Sequence, residues 1–208
     1  MTAEKEIQQI ADFTAELKAA FATLPENPVI PYELTPEGAR LAKFKNACPE
    51  AFYHAIDRSK LKNAAAFDRV ALWDGSFPGP CATGPTSCAK TRAAWSALGR
   101  LWVKENLGFS WWPVRKLLTA IEEANGSLDG LMWKHSASRI FFVDDADKVN
   151  WQFESNTEVL FSFYDYIYRK NIPCITTTNK DRAWWADKMG DAFARRMFED
   201  ACFTVKFA

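Results

Sequence analysis

Apolar positions recur in three- and four-residue steps over residues 2–24, where Ile7, Ile10, Phe13, Leu17, Phe21 and Leu24 are separated by Glu and Lys. That period predicts an amphipathic helix. Pro25, Pro28 and Pro31 end it and make an extended connector. The stripe therefore packs back on the body or docks on a partner protein. The expected division is residues 1–31 as N-terminal helix and Pro-rich connector, and 32–208 as the body. A second helix is expected from Thr35 to Ala47, opened by a Thr-Pro-Glu cap signal. Cys48-Pro49-Glu50 breaks it, and Glu50 to Trp73 reads as a helical or irregular lead-in.

Beyond that point the pattern alternates between two periods. Short apolar or β-branched runs predict strands at Cys81–Thr83, Phe109–Trp112 (closed by Pro113), Arg139–Val143, Ile172–Thr178 and Phe203–Phe207. Helices are expected at Thr91–Glu105, Val114–Ala124 with its Asn125-Gly126 stop, Leu128–His135, Glu154–Lys170 and Asp181–Glu199. The run Ile140-Phe141-Phe142-Val143 has no polar alternation, as in a strand buried on both faces of a parallel sheet. Strands alternating with helices predict an α/β fold around a mostly parallel sheet.

Composition narrows this picture further. With 48% hydrophobic and 25% charged residues, the chain is an ordinary globular one. Its formal net charge of +0 provides no global field for nucleic acid, so any such contact needs a local basic patch. The 9 Trp and 16 Phe belong in cores and interfaces. Cys48, Cys81, Cys88, Cys174 and Cys202 are scattered without a C-x-x-C pair, which argues for reduced thiols rather than a disulfide framework or zinc site. The N-terminus lacks a signal-peptide core, and no run approaches the roughly 18 apolar residues of a membrane span. A cytoplasmic protein without a membrane partner is expected.

The candidate chemistry begins at Gly84-Pro85-Thr86-Ser87-Cys88-Ala89-Lys90-Thr91. This has the frame of a phosphate-binding P-loop, G-x-x-x-x-G-K-[ST], with Ala89 in place of the second glycine. A strand ends, the loop turns its N–H groups inward, and a helix starts with its positive end towards the phosphates. Lys90 would reach the terminal phosphates and the Thr91 hydroxyl would ligand Mg²⁺. Glycine tolerates positive φ and close backbone approach more cheaply than Ala89 or Ser87. The plain alternative is a strand–turn–helix with a chance Lys-Thr. In a parallel sheet, ligands bind at the carboxyl ends of strands. Two further strand ends carry suitable groups. Asp144 stands at the Walker B position for Mg²⁺ and Asp145 where a carboxylate would activate water, unless the pair is an acidic turn. Asn179 could orient the attacking water.

Four segments occur in the order found in AAA+ ATPases: the loop, Phe141-Phe142-Val143-Asp144-Asp145, Ile175-Thr176-Thr177-Thr178-Asn179, and Gly190-Asp191-Ala192-Phe193-Ala194-Arg195-Arg196-Met197. Over about residues 45–207 the chain resembles the branch with DnaC-type replicative-helicase loaders and IstB-type transposition ATPases. The resemblance implies ATP and Mg²⁺ as ligands, with residues Gly84 to Thr91 around the phosphates and Thr91 and Asp144 at the metal. It implies Asp145 as the water activator, Asn179 as sensor, and Arg196 as an arginine finger reaching a neighbouring subunit's nucleotide in a homo-oligomer. It also implies a replicative helicase as partner, docked by the N-terminal helix. Single-stranded DNA would be held by Arg115 and Lys116 beside Trp111 and Trp112, with Lys134 and His135; the alternative for both tryptophans is strand core. Ser87, Ala89 and Ala192 depart from the family pattern, which favours nucleotide binding over efficient hydrolysis. Two alternatives remain: an IstB-like transposition regulator on duplex DNA, and a degenerate adaptor that does not hydrolyse ATP.

Overall fold

The computed structural model describes residues 35–53 and 57–207. The expected helix over residues 2–24 and its connector lie outside them. Helix α1 (Pro36–Ala47) starts where the Thr35 hydroxyl accepts the Gly38 N–H at 3.0 Å, with Pro36 in its first turn. The lead-in resolves into a helical turn at Glu50–Tyr53 and helix α2 (Ala64–Ala71), which Asn63 caps through Ala66 N–H. Then follow β1 (Gly79–Thr83), α3 (Lys90–Glu105), β2 (Phe109–Pro113), α4 (Val114–Glu123), α5 (Leu128–Lys134) and β3 (Ile140–Asp144). The chain continues through α6 (Glu154–Lys170), β4 (Cys174–Thr178), α7 (Arg182–Met189), α8 (Asp191–Arg195), a π turn at Arg196–Asp200, and β5 (Cys202–Lys206).

Helix ends follow local chemistry. Asn106 and Asn171 close α3 and α6 in the left-handed region, at φ 55° and 52°. Ser127 caps α5 by accepting from Gly130 N–H, and Asp181 caps α7 by accepting from Trp184 N–H. The strands form one five-stranded sheet in the order β2-β3-β4-β1-β5, every pair parallel. β1 therefore lies beside β4, while β2, next in sequence, lies across the sheet. The crevice at the carboxyl edge opens around β1, where a ligand site is expected.

Both faces of the sheet are covered. Leu117 and Ile121 of α4, Leu160, Phe163 and Tyr164 of α6, Trp185 of α7 and Phe193 of α8 pack on one face, against Phe141 and Val143. Phe44 of α1 and Trp95, Leu98 and Leu101 of α3 pack on the other, against Ile140, Phe142 and Ile175. Alternate residues of β3 thus serve opposite cores, which is why its sequence is continuously apolar. The five cysteines are free and buried. Among the described residues, no helix is long and apolar enough to cross a membrane.

Candidate nucleotide-binding site

The loop between β1 and α3 turns through three residues of positive φ, Gly84, Ser87 and Ala89. Gly84 has φ 148°, and a Cβ there would lie 2.0 Å from the carbonyl oxygen of Phe207. That close approach exists because β5 runs beside β1 and Phe207 N–H donates to Thr83 O at 2.7 Å. Glycine is required at this position. Ser87 and Ala89 adopt φ 63° and 70°, the left-handed conformations that glycine would take without strain. Ser87 and Ala89 hold this loop shape at an energetic cost. Restoring glycine at both positions should stabilise the protein by about 1 kcal/mol, the relieved strain exceeding the added chain entropy. ATP should bind at least as tightly; a lower melting temperature for the double variant would show that the loop is unstrained.

Ala89 gives α3 no side-chain cap. The first N–H groups of this 16-residue helix are thus left without a capping side chain where they meet the cleft, as an anion site requires. The cleft has a volume of about 400 Å³ and is lined by the loop from Thr86 through Arg92, together with Asp145, Lys148, Asn179 and Phe52. Lys90 is 5% exposed. Its ammonium donates to Gly84 O at 2.8 Å, Pro85 O at 2.6 Å and Asn179 Oδ1 at 3.1 Å. It is folded onto the loop and aimed at the cleft floor.

Thr91 and Asp144 meet as the sequence suggests. The Thr91 hydroxyl donates to Asp144 Oδ1 at 2.9 Å, and the Thr177 hydroxyl donates to the same oxygen at 2.5 Å. Burial raises the Asp144 pKa above the usual carboxylate range, opposed by the Thr177 and Thr91 hydrogen bonds, while the Asp145 charge adds to the rise. The donor set fits Mg²⁺: two hard oxygens close together, one on a carboxylate whose desolvation a cation would relieve. Without metal the sign is unfavourable. A carboxyl whose folded pKa is raised stabilises the fold only when protonated, and that contribution is lost as pH rises through the folded value. Asp144→Asn should therefore raise or preserve the melting temperature at neutral pH while weakening Mg²⁺-dependent nucleotide binding. A clear fall in the melting temperature of the nucleotide-free variant would contradict this reading.

Asp145 is exposed at φ 54°, and its N–H donates to Thr177 Oγ1 at 2.9 Å. Asn179 leaves β4 beside it. Two residues that sequence reasoning passed over complete the cluster. Thr177 ties Asp144 to the Asp145 backbone, and buried Asp147 accepts Asn179 N–H at 2.7 Å. The available signal was an acidic residue three positions after Asp144 and a threonine run on β4, but neither residue type points to this pairing by itself.

Arg196 stands apart. Its guanidinium pairs with Asp200 at 2.9 Å and Asp165 at 3.3 Å and lies 4.0 Å from the Tyr168 ring centroid. It does not line the cleft. The basic–aromatic group forms a separate groove of about 430 Å³, where Trp112, Arg115, Lys116, Lys134 and His135 meet. Trp112 packs edge-on against His135 at 4.8 Å, whereas Trp111 packs on Trp95 at 5.3 Å. Both tryptophans are half-buried, Trp111 against the core under α3 and Trp112 against the core under α4, and Trp112 also lines the groove. Trp133, which the sequence reading did not single out, is 80% exposed on the same helix as Lys134.

No family model matches the chain, and no curated protein matches it in sequence. Solved structures match its fold. The DnaC helicase loader superposes with a TM-score of 0.59 at 15% identity, covering 80% of this chain and 99% of that one. DnaI gives 0.53 at 14% identity, covering 86% and 92%. The replication initiator DnaA bound to AMPPCP and single-stranded DNA gives 0.55 at 14% identity, covering 76% of this chain and 50% of that one. This chain thus spans about half the length of that initiator. The chain thus shares its α/β fold, with a parallel central sheet, with these replication proteins.

Proposed function

We propose that the protein binds ATP with Mg²⁺ and acts as a helicase-loader-type AAA+ protein in DNA replication. The observation that carries this reading is the convergence of Lys90, Thr91 and Asn179 on one cleft beside an uncapped helix N-terminus, with Asp144 hydrogen-bonded to Thr91 behind it. Lys90 would exchange its carbonyl contacts for the β- and γ-phosphates, the loop N–H groups would take the remaining phosphate oxygens, and Thr91 and Asp144 would hold the metal. Mg²⁺ would supply charge neutralisation between the phosphates. Asp145, exposed at the mouth, would accept a proton from water, and Asn179 would orient that water.

Two features support binding ahead of rapid hydrolysis. Ser87 and Ala89 hold the loop in a strained form, and Lys90 already has three oxygen partners that a phosphate must replace. The non-hydrolysing adaptor is for that reason the second reading. As an arginine finger, Arg196 would act in a neighbouring subunit's cleft after leaving Asp165, Asp200 and Tyr168. The proposed partners are a replicative helicase and single-stranded DNA, with the groove of Arg115, Lys116, Trp112, Lys134 and His135 as the DNA surface, in a cytoplasmic homo-oligomer. Calorimetric titration with MgATP tests the core of the proposal. Saturable binding is expected, and no heat of binding at millimolar nucleotide would end it.

A further inference from the structure

The amide of Asn179 has a fixed polarity, and a residue outside the phosphate loop sets it. Asp147 follows β3 in a short 3-10 turn, Ala146–Lys148, and is 8% exposed. Its Oδ1 accepts the Asn179 backbone N–H at 2.7 Å and the Thr178 hydroxyl at 3.2 Å. Its Oδ2 accepts Asn179 Nδ2 at 3.2 Å and lies 3.8 Å from the Lys148 ammonium. On the other side, Lys90 donates to Asn179 Oδ1 at 3.1 Å. A carboxylate only accepts and an ammonium only donates, so both neighbours select the same amide orientation. The amino group faces Asp147 and the oxygen faces the cleft.

We propose that Asp147 is a positioning residue that holds Asn179 with its amide oxygen towards the cleft, so that Asn179 latches Lys90 when nucleotide is absent and offers an acceptor to water when nucleotide is present. The inference rests on the ATP-binding reading. In the empty cleft, Asn179 competes with phosphate for Lys90. Once Lys90 moves to phosphate, Asn179 Oδ1 becomes free to accept a water O–H, while Nδ2 remains committed to Asp147. Asn179 then contributes an acceptor to the reaction and gives no hydrogen bond to phosphate.

Asp147→Asn tests this with little change of shape. The oxygen of the substituted amide can still accept the Asn179 N–H, but its amino group then opposes Asn179 Nδ2, which keeps only its longer 3.4 Å contact to Oδ1, and turning the Asn179 amide over relieves the clash. The Asn179 amino group would then face the Lys90 ammonium, and the latch would break. In the nucleotide-free protein, the Asn179 side-chain amide protons should exchange slowly in the wild type and show shifted, faster-exchanging NMR signals in Asp147→Asn. Unchanged signals would overturn the inference, whatever the nucleotide does.

With MgATP, Asp147→Asn and Asn179→Ala should each bind about two- to fivefold more tightly, since one partner of Lys90 is gone, while any turnover falls about tenfold. Removing a negative charge near the cleft would tighten binding by itself, so the double variant decides. If the two residues act through one contact, the double variant binds like the single ones. Additive effects, or parallel losses of affinity and melting temperature, would assign Asp147 a merely structural or long-range electrostatic role. A wild-type protein that binds no ATP would remove the functional reading, and the amide signals would still judge the positioning.

Discussion

Lys90→Ala should weaken MgATP binding at least tenfold, about 1.4 kcal/mol or more. Lys90 is the cation the fold aims along the loop, buried to 5% exposure and braced by Gly84 O and Pro85 O. Its removal subtracts the attraction to the terminal phosphates and also two contacts that shape the cradle. Both effects oppose binding, whereas release of Asn179 acts only on the empty state. Arg92 and Lys148 also line the cleft, but Arg92 is held by Ala51 O and the Phe52 ring, and Lys148 is exposed at the rim, where water screens it. Calorimetry on the variant and the wild type, with melting curves to separate loop damage from lost charge, reads the effect. An unchanged dissociation constant would mean that the rim cations hold the nucleotide and that the loop is a bystander.

The largest loss of stability should come from Trp95→Ala, at about 3–5 kcal/mol, a large share of the roughly 5–15 kcal/mol typical of a folded protein. Trp95 is 1% exposed on α3 and meets Trp111 at 5.3 Å, Phe109 at 5.7 Å, and Phe44 and Phe142 at 5.9 Å, all edge-on. One side chain thus joins α1, α3, β2 and β3. Its indole Nε1 has no hydrogen-bond partner among the described residues. Trp95→Phe should therefore be much milder, because it removes an unsatisfied donor along with the lost volume. Urea denaturation measures both. Equal losses for Ala and Phe would mean that the indole N–H, rather than ring packing, is what the core uses.

The same aromatic group shows how far sequence could be read. The counts of Trp and Phe indicated a ring-rich core, and the apolar run of β3 indicated a strand buried on both faces. Neither indicated that Trp111 and its neighbour Trp112 would pack against opposite cores, with Trp112 also lining a groove. Successive strand residues point to opposite faces, and what each of them meets there depends on where α3 and α4 lie. The strand and helix assignments from Gly79 onward agree with the structure to within a few residues, because period and caps are local signals. The lead-in did not resolve from sequence: Ala64–Ala71 lacks a proline or Gly stop, and its cap is a single asparagine.

For the candidate site, the sequence determined the residue types and their order. A loop ending in Lys90-Thr91, a strand ending in Asp144-Asp145 and a strand ending at Asn179 are all legible, since each sits at a break in hydrophobic period. The tertiary structure decided what those residues touch. The order β2-β3-β4-β1-β5 brings β3 and β4 beside the loop, so Asp144 meets Thr91 across 53 positions of chain and Asn179 meets Lys90 across 89. It also decided that Ser87 and Ala89 keep the left-handed turns of glycine, that Asp147 turns inward to orient Asn179, and that Arg196 is held by Asp165, Asp200 and Tyr168. Sequence spacing records only neighbours along the chain. Those contacts follow from parallel strand pairing and helix packing, which are long-range and set by the whole core.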